Sequence, residues 1–225
     1  MGDVERTQRF EERPTAPIAP EGWPFIAGAA AATALALAFG ASWLGAALGG
    51  VTAFVIAFFR NPVRNVPGDE DTVVAPADGR VLAVDTIEDE QGRSGLRIAI
   101  FLSVFNVHVN RVPLAGRVLS LTRGGTRFLA AWDPRGEREN VRLAMELELA
   151  DGRRIVVTQI TGLIARRIVC HAKVGEWIPR GVRYGLIRFG SRTDVLLPPG
   201  SVATVKVGDR VSGGASIIGR LGASQ

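Results

Sequence analysis

The chain has 225 residues, of which 47% are hydrophobic and 22% charged, with a net charge of +5 and a pI near 10.5. That length supports one sizeable core plus an accessory segment, and the positive balance favours an anionic partner. Nucleic acid is disfavoured, because Trp23, Trp43, Trp132 and Trp177 are scattered and no basic block is interleaved with stacking residues. Cys170 is the single cysteine, so a disulfide framework within the chain is excluded and a reducing compartment fits best. His108 and His171 lie far apart, with no cysteine pair to join them, and no metal site is expected.

Residues 1–22, "MGDVERTQRFEERPTAPIAPEG", are charged and then proline-rich, and read as a mobile leader. The apolar stretch begins only at Trp23, too late for an ordinary signal peptide. From Trp23 to Phe59 no charged residue occurs. A single span needs about 20 apolar residues, and this stretch is nearly twice that, so residues 23–59 are expected to form a hydrophobic helical hairpin. The break falls at Gly40–Gly45 or at the Gly49–Gly50 pair. A buried hairpin of a soluble protein is the rival reading. Against it stand the aromatic ends (Trp23 and Phe25, Phe58 and Phe59) and the arginines beyond them: Arg6, Arg9 and Arg13 on one flank, Arg60 and Arg64 on the other. Positive charge on both flanks places both ends, and residues 60–225 with them, on the cytoplasmic side of the cell membrane.

From Thr72 onward short apolar runs alternate with Gly, Asp and Pro: "TVVAPADGRVLAV", "LRIAIFLSV", "HVNRVPLAGRVLSL", "MELEL", "RRIVVTQI", "RRIVCHAKV", "YGLIRFG", "TDVLLP" and "SVATVKV". Their length and turn signals predict strands, hence a mainly β domain. "APADGRVLAV" is echoed by "VKVGDRVSGGASIIGRL", which suggests two related β lobes closed as a sandwich or barrel.

Three residues stand out chemically: Asp78 in the "PADG" turn, His108 in "FLSVFNVHVNRVP" and Ser191 after Gly190 in "LIRFGSRTDVLLP". Singly, each has an ordinary structural explanation. Together they supply an acid, a base and a nucleophile. Ser191 does not sit in G-x-S-x-G, so a hydrolase elbow is not expected. A serine after glycine has another option. Its hydroxyl can attack the unhindered Gly190 carbonyl to give an ester, and β-elimination then cuts the chain and leaves a dehydroalanine that hydrolyses to a pyruvoyl group.

In order and spacing, "FFRNPVRNVP", "VVAPADGRV", "IFLSVFNVHVNRVP", "GGTRFLAAWD", "HAKVGEWIPRGVRYGLIRFGSRTDVLLP" and "VKVGDRVSGG" make the chain resemble the short, pyruvoyl-dependent phosphatidylserine decarboxylases that carry an N-terminal hydrophobic segment. The resemblance covers almost the whole sequence. It implies self-cleavage between Gly190 and Ser191 into a β chain, 1–190, and an α chain, 191–225, with Ser191 becoming the pyruvoyl cofactor. That cofactor would form a Schiff base with phosphatidylserine and accept the electrons released on decarboxylation to phosphatidylethanolamine. His108 would protonate the resulting carbanion and Asp78 would orient it. An anionic membrane is the implied surface, and arginines in "HVNRVP", "TRGGTRF" and "RGVRYGLIR" are candidates for the head-group phosphate. The assembly, a homodimer included, is left open.

Two departures from the family pattern matter. Arg111 occupies the place of a second histidine that longer members use in maturation, and "DPRGERENVR" stands where the family often has a run ending Asn-Glu-Arg, leaving the parts of Glu137, Glu139 and Asn140 open. A membrane-anchored serine protease of signal-peptidase type would need a Ser-Lys dyad, but the only lysines are Lys173 and Lys206. A lipoyl-like adaptor would carry a lysine at a hairpin tip, and neither "DGRV" nor "GDRV" does.

Overall fold

A computed structural model describes residues 16–88, 92, 94–130, 132–163, 167–188 and 191–222. Most of the proposed leader, with Arg6, Arg9 and Arg13, and also Gly190, lie outside the described residues. The chain forms two compact units.

One unit comprises residues 14–63 with 105–107. Its core is a helical hairpin, α1 (Trp23–Ala38) and α2 (Ser42–Phe58). The break comes at Gly40, whose φ of 78° suits glycine. The Gly49–Gly50 alternative is overturned: both residues lie inside α2, where the Ala- and Leu-rich sequence carries the helix through them. Residues 16–22 run back along the end of α2. Ala19 N–H donates to Phe59 O (2.7 Å), Asn61 N–H to Pro17 O (2.7 Å) and Asn61 Nδ2 to Ala16 O (3.1 Å). Phe25 stacks on Phe59, while Phe105 packs edge-on against Phe54 and its carbonyl accepts from Arg60 Nη2 (2.8 Å).

The other unit, which includes 64–104 and 108–222, is β. Its strands are β1 (Thr72–Val74), β2 (Gly79–Glu88), β3 (Ser94–Leu102), β4 (Val109–Arg111), β5 (Gly116–Gly124), β6 (Arg142–Glu148), β7 (Arg154–Thr161), β8 (Arg167–Cys170), β9 (Trp177–Ile178), β10 (Arg183–Arg188), β11 (Ser191–Leu197), β12 (Val202–Ala203), β13 (Arg210–Val211) and β14 (Ile217–Arg220), with one helical turn, α3 (Gly136–Glu139). An antiparallel sheet of order β13-β2-β3-β11-β7-β6-β5-β9 is accompanied by two three-stranded sheets, β1-β14-β12 and β4-β10-β8. Ile98, Ile100, Met145, Val157 and Val195 from the large sheet share one apolar core with Val73, Tyr184 and Ile218 from the small ones. The protein is mainly β with an apolar N-terminal hairpin, as its alternating runs predict. The echoed turns meet directly: Arg80 pairs with Arg210 and Gly79 with Val211. "SVATVKV" yields only the two-residue β12, because the chain turns at once, Lys206 N–H donating to Asp209 Oδ2 (2.9 Å).

Candidate active site

Side chains alternate across a strand, so β11 directs Ser191, Thr193, Val195 and Leu197 to one face and Arg192, Asp194 and Leu196 to the other. On the neighbouring β7, Ile155, Val157, Gln159 and Thr161 form the matching inward column, with Thr161 opposite Ser191 and Gln159 opposite Thr193. Both columns are apolar at one end and polar at the other. Ser191, Thr193, Gln159 and Thr161 are all fully buried.

Buried polar groups are normally hydrogen-bonded, and most of these are. Thr161 Oγ1 donates to Val141 O (3.0 Å), Gln159 Nε2 to Asn110 Oδ1 (2.6 Å) and Asn110 Nδ2 to Thr193 Oγ1 (3.3 Å). Ser191 Oγ and Gln159 Oε1 are buried without a hydrogen-bond partner among the described residues. Two orphaned oxygens at the polar end of the core mark the candidate site. An unengaged hydroxyl needs no hydrogen bond broken before it can react.

His108 reaches this end through β4. Its carbonyl accepts from Ile187 N–H (3.2 Å), extending the ladder in which Val109 pairs with Leu186 on β10, the strand that leads into Gly190 and Ser191. His108 is buried, and Asn110, two residues on, bonds both β7 and β11. The structure therefore brings the His108 segment and Ser191 to the same end of the core.

Asp78 enters from the turn before β2. This turn lies beside β4, since Arg111 N–H donates to Pro76 O (2.8 Å). The Asp78 carboxylate is held by Arg64 Nη2 (2.8 and 3.1 Å) and by the Gly213 N–H (2.7 Å). Its described hydrogen bonds thus join the segment after the hairpin to the C-terminal region, rather than reaching an imidazole. Gly79 is required here: a Cβ would stand 2.1 Å from Phe101 O. Arg111 is buried and donates to Gly181 O (3.0 Å), so it braces loops and is not free for a head group.

Asn140 has a structural part that its sequence context did not reveal. Its Oδ1 accepts from Leu129 N–H (2.7 Å), while Nδ2 donates to Leu129 O (3.0 Å) and to Thr161 O (2.8 Å), directly beside Ser191. The "GGTRF" loop is thereby pinned to β7. Gly125, at φ 71°, allows the close approach, since a Cβ there would meet Asn140 O at 1.8 Å.

On the outer face of β11, Arg192 binds Asp194 through two 2.6 Å bonds and Glu137 at 3.1 Å, while Arg97 joins Glu137 to Asp85. Burial pushes the Asp194 carboxyl up, against the opposing pull of Arg192. A cleft of about 1250 Å³ opens on this face, lined in part by Arg97, Glu137, Arg142, Asp194 and Leu196. It is a poor guide to the chemistry, because these side chains point away from Ser191. Glu139 lies at the loop's rim, 3.3 Å from Arg127 Nη1.

Sequence reasoning missed Asn110, Gln159, Thr161 and Thr193. A detectable signal existed for one pair: in "RRIVVTQIT", Gln159 and Thr161 fall on the phase that Ile155 and Val157 mark as buried.

The family model for phosphatidylserine decarboxylase matches residues 51–219, which contain this whole constellation. The chain is 51% identical to a phosphatidylserine decarboxylase proenzyme of Pelobacter propionicus over 217 residues, covering 92% of this chain and 97% of the relative. It is 46% identical to the proenzyme of that name from Geobacter metallireducens (91% and 97% covered) and 47% identical to that of Symbiobacterium thermophilum (91% and 95%). No solved structure matches. With the family model running from within α2 into β14 and relatives matched almost end to end, the chain belongs to the phosphatidylserine decarboxylase family.

Proposed function

We propose that the chain is a carboxy-lyase that cuts itself between Gly190 and Ser191 and then converts phosphatidylserine to phosphatidylethanolamine at an anionic membrane surface. The word "proenzyme" in its relatives' names supports processing. The observation that carries the reading is the Ser191 hydroxyl, buried and without a hydrogen-bond partner among the described residues at the first residue of β11.

In the maturation step the Ser191 oxygen bonds to the Gly190 carbonyl carbon and the Gly190–Ser191 C–N bond breaks, leaving an ester and a free amine. A base then removes the Ser191 α-proton and the Cβ–O bond breaks. Gly190 departs as a carboxylate, and the dehydroalanine at 191 takes up water and releases ammonia, leaving the pyruvoyl group. The site fits that group in being enclosed, since position 191 is fully buried, and the unused acceptor Gln159 Oε1, close by in the register, would serve an incoming amine rather than the group's own carbonyls. When in place the group supplies an electron sink for the pair left by departing carbon dioxide.

The chain's own residues do the rest. His108 carries the proton that returns to the substrate carbon. Asp78 holds the turn beside β4 that supports the His108 segment, and Arg64 pairs with it directly at 2.8 Å. Gln159, held by Asn110, offers its oxygen to the substrate amine or to the attacking water. Burial of Asn110, Gln159 and Thr193 strengthens the hydrogen bonds among them. The charge-free hairpin anchors residues 60–225, the catalytic part, at the cytoplasmic face of the cell membrane, where the lipid substrate resides.

Intact mass spectrometry tests the reading. The protein is expected as two chains, with the C-terminal one beginning at position 191 and lacking a free α-amine. Ser191→Ala should stay whole and inactive; a whole wild-type chain with full activity would sink the proposal.

A further inference from the structure

We propose that the hairpin is re-entrant: it enters the bilayer from one side and its tip, Phe39–Trp43, stops within the hydrocarbon without reaching the far aqueous phase. This rests on the membrane reading above and adds the depth and topology.

Several observations carry it. Between Glu21 and Arg60 no residue is charged, so neither the arms nor the tip holds a group that would favour water on the far side. The tip is instead the most apolar exposed part of the hairpin, with Phe39 86% and Trp43 77% exposed, and Leu35 and Leu37 leading into it. A connection that crosses into water normally shows polar or charged residues, and here Ser42 alone carries a hydroxyl.

The turn also satisfies four of its own donors. Phe39 N–H bonds Leu35 O, Gly40 N–H bonds Leu37 O, Ala41 N–H bonds Ala36 O and Ser42 N–H bonds Gly40 O, all at 2.9–3.0 Å. That is the condition hydrocarbon imposes on backbone and water does not. Along the arms the polar atoms are turned inward. The Thr33 and Thr52 hydroxyls lie 3.1 Å apart in the seam, each 2.9 Å from the carbonyl one turn back. Gly45 lets the arms close near the tip, where a Cβ would stand 2.3 Å from the Leu37 side chain.

Length agrees. The 17 residues of α2 rise about 26 Å, and the 16 of α1 about 24 Å, against a hydrocarbon core of about 30 Å. With its preceding turn at Pro20–Gly22 α1 only matches that thickness, and α2 falls short of it. Aromatic residues at the base, Trp23, Phe25, Phe58 and Phe59, fix the entry level at one interface.

The test uses the full-length protein carrying Cys170→Ala, with a single cysteine introduced as Phe39→Cys at the tip or Val63→Cys beyond the base. Protein is added from detergent to preformed vesicles of phosphatidylethanolamine and phosphatidylglycerol, and flotation reads attachment. The expected result is that position 63 reacts with an external, membrane-impermeant maleimide. Position 39 should react with neither external nor vesicle-trapped reagent, and a bimane placed there should be quenched best by lipids brominated deep in the acyl chain. Reaction of position 39 with trapped reagent alone would show a spanning hairpin and overturn the proposal while leaving attachment intact. Failure to float, with position 39 open to external reagent and unquenched, would overturn both.

Discussion

At the residue scale, this site depends on which buried polar atoms are engaged and which are left free. Asn140 makes three hydrogen bonds at zero exposure. Asn140→Leu strands two carbonyls and one N–H, and losing such partners costs about 1–3 kcal/mol. Thermal denaturation should register a drop of several degrees, and a gel should show slower cleavage, since Thr161 beside Ser191 loses its brace. Gln159→Leu is different: its amide tethers Asn110, while its oxygen has no partner among the described residues. Turnover should fall more than stability, measured as product formed per cleaved chain. His108→Ala should lower turnover by about 10²–10⁴-fold, the usual contribution of a positioned proton carrier. Normal activity in that variant would assign the proton elsewhere.

Elements are placed here by backbone approach as much as by apolar pattern. Gly79 begins β2 because Phe101 O passes where a Cβ would be, and the resulting β2–β3 pair is the longest in the sheet that holds β11. Gly79→Ala should therefore destabilise the β unit markedly in denaturant titration, whereas Gly50→Ala in α2, with nothing within 4 Å, should be tolerated. The strands themselves were legible. Alternating runs in "LRIAIFLSV" and "RRIVVTQI" predict β3 and β7 because one face must be apolar. Asn140 was not, because its value lies in reaching Leu129 and Thr161, residues 11 and 21 positions away, and no local pattern encodes that.

For the whole molecule, the consequence of cutting at 190/191 follows from strand order. β11 lies between β3 and β7, while β13 pairs with β2 and β14 with β1. Residues 191–225 should thus remain bound after cleavage and co-elute with 1–190 on a sizing column, separating only in denaturant. Elution of the short chain alone under native conditions would show that the sheet does not survive the cut. The two units also differ in chemistry: one is charge-free through its hairpin, and the other holds the buried polar cluster.

Composition and pattern alone determined the apolar hairpin, the mainly β character, the family resemblance and the Gly190–Ser191 pair, because hydrophobic period and short contiguous motifs are local properties of a chain. Only the tertiary structure decided that the helices break at Gly40, that Asp78 is held by Arg64 and Gly213, that Arg111 braces Gly181, and that Ser191 and Gln159 have oxygens without a partner among the described residues at the polar end of the core. Those depend on partners drawn from distant strands, and whether a buried polar atom is satisfied is settled when the strands meet.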